Sequence, residues 1–190
     1  MRRKLAFILI VSLCTGCAED EKLMLVSVED YEAFVVATDY VTDAERYGWS
    51  VIQEDVYSFR VDSSLTWRVP DGIDSSQHGY PVTQVSYNDA LAYCKWTNTR
   101  LPSYEEYWTL AENDKRHINQ DSDRIYRLSQ SNIVGNTWEI TRTEDRKGFI
   151  RLAGGSYLCN ANTCNGTQPS RELFVDKETG NTHIGFSVIR

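Results

Sequence analysis

The sequence is poor in the residues that build zinc sites. Its 190 residues include three histidines and five cysteines, and the histidines, at positions 78, 117 and 183, are far apart in the chain. Structural zinc sites take four ligands, usually from cysteine and histidine pairs at short spacing. Only one cysteine pair downstream of residue 17 has a short spacing, so we expect no zinc site.

Clusters of positive charge are also missing. The formal net charge is -7, and the longest run of basic residues is Arg2, Arg3 and Lys4. Nucleic-acid surfaces depend on clustered lysine and arginine, so nucleic acid is not an expected partner. Hydrophobic residues make up 41% of the chain, which at this length is enough for one domain with a sizeable core.

No apolar run is long enough to span a bilayer, and the one at residues 5–13 follows the basic residues and precedes Gly16 and Cys17. This order resembles a bacterial lipoprotein signal. We therefore expect a signal peptide at 1–16, a lipid on Cys17, an acidic tether at 17–24 and one domain at 25–190. Ala18, after the lipidated cysteine, favours the outer membrane of the cell envelope. An ordinary secretory signal is the alternative, and it also exports the protein.

Three cysteines then remain in the folded part: Cys94, Cys159 and Cys164. In an oxidising compartment the last two are suited to a disulfide that closes a small loop. Two thiolates also suit the soft ion Cu(I). The residues alone leave both possibilities open, and they predict Cys94 as a buried thiol on a helix.

Serines at three positions have the pattern of helix N-caps. Ser27, Ser86 and Ser103 are each followed three residues later by an acidic residue and then by apolar residues at helical spacing. The first helix is expected to end near Thr38. After Asn113 the pattern changes to short strands at 135–140, 149–152 and 184–189, separated by turn residues.

Five segments of the chain form an ordered set of motifs. They are VSVEDYEAFVVATDYVTDAERYGWSVI, YPVTQVSYNDALAYCKWTNTRLPSYEEYWTLAE, NIVGNTWEITRTE, GGSYLCNANTC and NTHIGFSVIR. In this order they resemble the motifs of the formylglycine-generating enzyme (sulfatase-modifying factor) family. The resemblance covers most of the chain from about residue 25 to residue 190. It implies an irregular α+β fold that is related to the C-type lectin fold and has little regular secondary structure.

The motif GGSYLCNANTC, residues 154–164, matches the active-site segment of the catalytic branch of that family. The resemblance implies that Cys159 and Cys164 bind copper as Cu(I), that Ser156 is the active-site serine and that Trp138 lines the site. The implied reaction is the O₂-dependent conversion of a peptide cysteine to Cα-formylglycine. The implied partner is a cysteine-containing peptide or an unfolded sulfatase.

The segment at 132–139 resembles the family's structural calcium loop. The ligands implied are the Asn132 side chain, the Gly135 and Thr137 carbonyls and the Glu139 carboxylate. Hard oxygen donors of these kinds suit Ca²⁺. The alternative is a turn that runs into a strand, with Trp138 in the core and Glu139 in an ion pair.

The sequence departs from the family pattern where arginines are usual. Gly166 and Gln168 stand at the positions of an Arg-x-Arg pair, and Ser187 replaces the arginine of Gly-Phe-Arg. Two functions follow as hypotheses: a copper-dependent oxidase of peptide cysteine, which we favour, or a non-catalytic, lipid-anchored binding or envelope-assembly module with a Cys159–Cys164 disulfide. An iron-dependent relative is disfavoured, because the sequence shows no histidine triad.

Overall fold

The structure is a computed structural model that describes residues 21–73, 75–120, 122–160, 162 and 164–190. The expected signal peptide at 1–16 and the lipidation site Cys17 lie outside these residues. Within the described ranges, no helix has both the length and the apolar character needed to cross a membrane.

Among the residues that the structure describes, four helices each begin with a capping box. In this motif the N-cap hydroxyl and the third helical residue bond to each other's backbone amides. The three predicted helices are confirmed, with α1 ending at Thr38 as expected. Helix α2 was missed, although Thr42 and Glu45 carry the same capping signal. The helices are α1 (Val28–Thr38), α2 (Asp43–Tyr47), α3 (Tyr87–Thr97) and α4 (Tyr104–Ala111).

Eight short strands form three small sheets in the described part of the chain. The largest sheet has the order β6-β5-β4-β7, in which β4 pairs antiparallel with β5 and parallel with β7. Two-stranded sheets join β1 to β8 and β2 to β3. The strands are β1 (Met24–Leu25), β2 (Ser50–Gln53), β3 (Phe59–Asp62), β4 (Trp138–Glu144), β5 (Ile150–Ala153), β6 (Phe174–Val175), β7 (Ile184–Gly185) and β8 (Ser187–Val188).

The short elements and long connections confirm the expected irregular α+β fold. The strand expected at 135–140 begins three residues later, at Trp138, and continues to Glu144. Met24, which the sequence assigned to the tether, lies in strand β1 opposite Val188. Strand β8 offers a hydrogen-bonding edge to this segment, so the ordered part of the chain extends into the predicted tether.

An aromatic cluster joins α1 and α3 in the main core. The ring of Tyr31 on α1 is fully buried, contacts Trp67 and Phe186 edge to face and stacks on Tyr93 of α3, with centroids 5.4 to 6.3 Å apart. Such pairs add to the free energy gained from apolar burial. Cys94 lies on α3 as a free, buried thiol, as predicted, and burial raises its pKa to about 11.

Candidate active site

Two glycines position the loop that carries the cysteine pair. Gly154 and Gly155 have φ angles of +88° and +74°, a region that side chains disfavour. A Cβ atom on Gly154 would overlap the Tyr107 hydroxyl, and one on Gly155 would lie 2.6 Å from the backbone carbon of Gly166. The glycine pair therefore lets the loop pass closely between α4 and the segment after Cys164.

The loop brings Cys159 and Cys164 together beside the main sheet. The two residues form a disulfide with their Cα atoms 4.9 Å apart, and they are 3% and 7% exposed. The Cys159 amide donates to the Ser156 carbonyl at 2.8 Å, and the Cys164 amide donates to the Asn160 carbonyl at 3.1 Å. Backbone turns thus place the two sulfurs side by side without regular secondary structure.

A small cavity of about 110 Å³ adjoins the cysteine pair. The four residues predicted for catalysis all line it, so the structure brings them together. Hydrophobic side chains and one cation complete the wall, and Gln53 and Val56 come from the β2–β3 hairpin. The lining residues are Gln53, Val56, Trp138, Ser156, Leu158, Cys159, Cys164, Arg171, Leu173 and His183.

His183 also belongs to this site, a position that was not predicted from the sequence. Its Nδ1 lies 3.2 Å from Ser156 Oγ, which in turn is 4.0 Å from Cys159 Sγ. Burial lowers the pKa of His183 to about 3, so the imidazole is neutral near pH 7. The Trp138 amide donates to the His183 carbonyl at 2.9 Å, where β7 runs beside β4. The sequence signal that could have identified His183 is its position directly before the Ile-Gly-Phe motif.

Gly166 occupies the position of one missing arginine, and its surroundings explain the absence of a side chain. A Cβ atom there would lie 2.8 Å from Trp138 Cζ2 and 2.9 Å from Cys159 Sγ. The backbone at 166 therefore packs directly over the cysteine sulfur. Arg171, further along the same segment, is exposed to solvent and also lines the cavity.

The cysteine pair has the donor chemistry that copper(I) requires when it is reduced. Two soft sulfur donors lie side by side in a largely water-excluded place, with a hydroxyl and an aromatic ring as neighbours. In the disulfide form both sulfurs are bonded to each other and are not available as thiolate ligands. The pair fits Cu(I) in its reduced state, and copper binding stays a prediction.

One expected calcium ligand, the side chain of Asn132, has protein partners in the structure. Asn132 Oδ1 accepts from the Val134 amide at 2.7 Å, and its amide group donates to the Asp114 and Arg116 carbonyls. The described residues form no group of three histidine, cysteine or acidic side chains that could hold a metal. The side-chain oxygen of Asn132 is thus already used, and the calcium site stays a prediction.

Glu139, the expected carboxylate ligand, is fully buried, and no cation among the described residues pairs with it. Its Oε2 accepts from Ser187 Oγ at 2.9 Å, and its Oε1 lies 3.3 Å from Thr137 Oγ1. Burial raises its pKa to about 8, although both hydroxyls oppose the shift. Two hydroxyl groups are thus its partners, and the alternative prediction of an ion pair at Glu139 is not met by any cation of the described residues.

Comparison with known proteins identifies the family. Residues 22–127, more than half of the chain, match the sulfatase-modifying factor enzyme 1-like domain. The formylglycine-generating enzyme of Thermomonospora curvata is 40% identical over 105 residues, which are 45% of this chain and 34% of that protein. The inactive C-alpha-formylglycine-generating enzyme 2 of Bos taurus is 36% identical over 101 residues, which are 43% and 34% of the two chains.

A solved structure shows the same fold. PvdO from Pseudomonas aeruginosa superposes with a TM-score of 0.61 at 13% identity, over 87% of this chain and 77% of that chain. The matches to the curated relatives named above cover about a third of those proteins. With more than half of its residues matched by the family model, the chain belongs to the sulfatase-modifying factor enzyme 1-like domain family.

Proposed function

We propose that the protein is an exported, copper-dependent oxidase that converts a peptide cysteine to Cα-formylglycine. The observation that supports this most directly is the convergence of Ser156, Cys159, Cys164 and Trp138 on one small cavity. A lipid on Cys17 attaches the proposed enzyme to the cell envelope. Its substrate is of the sulfatase type and reaches the site as an unfolded, cysteine-containing segment.

The proposed reaction needs oxygen and a thiol reductant. The peptide cysteine loses its C–S bond and a hydrogen from its β-carbon, and that carbon gains oxygen as an aldehyde. One O₂ accepts four electrons: two come from the oxidised carbon and two from a pair of reducing thiols. Sulfide, water and the disulfide of the reductant balance the atoms.

Bound copper would supply the site that activates oxygen next to the substrate sulfur. The chain's own residues contribute position and a dry environment. Cys159 and Cys164 hold the ion as thiolates, and Trp138 limits the access of water. Ser156 places its hydroxyl beside Cys159 and is itself oriented by the neutral His183. Arg171 gives the cavity a positive charge that favours a substrate thiolate over the thiol.

A second candidate function has its own support. The disulfide between Cys159 and Cys164 and the Gly166 backbone over Cys159 are both features of a sealed, structural cysteine pair. Under this alternative the protein is a non-catalytic binding or envelope-assembly module, and the disulfide stabilises the loop. The inactive relative from Bos taurus belongs to the same family.

Cu(I) titration against a competing chelator separates the two candidates. The purified full chain is reduced and compared with its Cys159→Ser and Cys164→Ser variants. Cys94→Ala is the matched control, because it removes a buried thiol outside the cavity. The oxidase predicts one tightly bound Cu(I) per chain, lost in both serine variants and kept in the control.

Copper binding is then linked to turnover by measuring formylglycine in a peptide that contains a Cys-x-Pro-x-Arg core. Product from the parent and none from either serine variant supports the oxidase. Weak binding that neither serine substitution changes would overturn the oxidase and favour the structural disulfide.

A further inference from the structure

The β2–β3 hairpin carries a free strand edge next to the cysteine cavity. We propose that strand β3 binds an extended peptide segment of a partner protein by strand addition, and that this segment has alternating apolar residues and at least one basic residue. This inference goes beyond the proposed function, because it stands whether or not the cysteine pair is catalytic.

Strand β3 is paired on one side only. The hairpin is a two-stranded sheet in which Ser50 lies opposite Asp62 and Gln53 lies opposite Phe59. On the other side of β2, Val51 bridges to Asn181. On the outer side of β3, no strand from the described part of the chain is paired.

Hydrogen bonding within the hairpin fixes which groups face that open side. The Glu54 amide donates to the Ser58 carbonyl at 3.0 Å. In antiparallel pairs, bonded and non-bonded positions alternate, so Phe59 and Val61 direct their amides and carbonyls away from β2. Val51, opposite Val61, agrees with this alternation, because its carbonyl accepts from Thr182 on the far side of β2.

Three apolar side chains on this hairpin are unusually accessible. Phe59 is 65% exposed, Val61 is 57% exposed, and Tyr57 at the turn is 79% exposed. Free backbone groups and exposed β-forming side chains at the same positions are the features that accept an added strand. Together they specify an extended backbone as the ligand, with apolar side chains on one face.

Charge favours a basic partner over a second copy of this chain. The hairpin carries Glu54, Asp55 and Asp62 against the single cation Arg60, which pairs with Glu54 at 3.2 Å and also with Asp62. A second hairpin docked on the first would place two negative surfaces together, whereas a lysine or arginine in the peptide would complement them.

The open edge continues to the cysteine cavity. Gln53, the cross-strand partner of Phe59, lines the cavity, and so does Val56 from the turn of the hairpin. A segment added to β3 therefore runs past the end of the hairpin that borders the two sulfurs. Strand addition would hold the partner's backbone while a neighbouring residue approaches the cavity.

Binding of a designed peptide tests this inference. The probe is a fluorescent 12-residue peptide with valine at alternate positions and threonine and lysine between them, titrated against the full chain by anisotropy. Its control has the same sequence with N-methyl groups on two alternate residues, which removes amide donors but keeps the side chains. We expect saturable binding that the N-methyl groups weaken by about tenfold or more, since two backbone hydrogen bonds are lost.

Substitutions in the protein, rather than in the peptide, test the same strand edge. Val61→Pro removes an outward amide that bonds to nothing in the described structure, and Val61→Thr is the control that keeps it. The proline variant should lose the peptide and the threonine variant should keep it, with circular dichroism confirming that both are folded. Peptide binding is also expected to persist in Cys164→Ser, which separates this inference from the proposed oxidase.

Several results would overturn the inference. Absent binding, or binding that N-methylation leaves unchanged, would mean that the edge does not accept a strand. Concentration-dependent dimers that Val61→Pro abolishes would mean that the edge pairs with a second copy of the chain.

Discussion

Ser187 donates a 2.9 Å hydrogen bond to the buried carboxyl group of Glu139. This contact replaces the cation that would balance a buried carboxylate. The negative charge of Glu139 can therefore be stabilised only by hydroxyl donors or by a bound metal ion. The pair therefore makes the calcium prediction testable through stability.

Calcium should raise the melting temperature of the parent if Glu139 is a ligand, and Glu139→Gln should abolish that rise. Without calcium the same substitution should change the free energy of unfolding by no more than about 1 kcal/mol, because it removes a buried acid that has no cation. Thermal melts with and without excess Ca²⁺ measure both effects. Glu105→Gln, on the exposed start of α4, is the control. A parent that melts at the same temperature with and without calcium would contradict the site.

Substitution of Gly166 should disturb the cysteine cavity. A methyl group there would meet Trp138 and Cys159 at less than 3 Å, and such overpacking costs about 1 to 3 kcal/mol. Urea unfolding of Gly166→Ala measures the loss, with Thr167→Ala beside it as the control. Unchanged stability in Gly166→Ala would mean that the segment after Cys164 moves away from the pair at little cost.

Ser156→Ala should separate oxygen chemistry from metal binding. The serine hydroxyl lies beside Cys159 but is not a sulfur ligand, so Cu(I) affinity should stay within about threefold of the parent. Formylglycine formation should fall by about a hundredfold, as is typical when a positioned donor at a reacting centre is removed. Ser170→Ala, outside the cavity, is the control. Equal turnover in Ser156→Ala and the parent would exclude a role for the hydroxyl.

Glu106 contributes to the stability of the folded protein in a way that depends on pH. The side-chain hydrogen bond from Arg100 lowers the pKa of Glu106 from 4.5 to about 2, and the Ser103 amide and Arg142 add to the effect. Because the folded pKa is depressed, its contribution is present above pH 4.5 and is lost as the pH falls towards 2.

The test compares Glu106→Gln with the parent by denaturant unfolding between pH 2 and pH 7. The variant should be less stable by about 1 kcal/mol at pH 7, and the difference should shrink below pH 4.5. Glu105→Gln lies on the same helical turn and lacks these arginine partners, so it should show no such convergence. A constant difference across the whole range would contradict the linkage.

Local signals in the sequence were enough for the helices. The capping boxes at Ser27, Ser86 and Ser103 operate within four residues, so a short window of sequence contains the whole interaction. Strands β1 and β6 have two residues each, and their partners lie far away in the chain. No local pattern encodes such pairing, which explains why these strands were not predicted.

The candidate site shows the same division between local and distant information. The motif around Cys159 identified the loop. The need for glycine at 154 and 155 comes from the close approach of Tyr107 and Gly166, and both of these residues lie outside the motif. His183 reaches Ser156 because β7 runs parallel to β4, a relationship that spacing does not reveal. The role of Gly166 as a cover over the sulfur likewise required the folded arrangement.

The pairing of β1 with β8 has a consequence for how the chain could be rearranged. Met24 and Val188 are cross-strand neighbours, so a short linker would join the two ends of the domain with little loss of chain entropy. New ends could then be opened at the exposed turn around Gly148, where an added atom would meet nothing within 4 Å. The fold is thus a candidate for circular permutation, with its first and last strands made continuous.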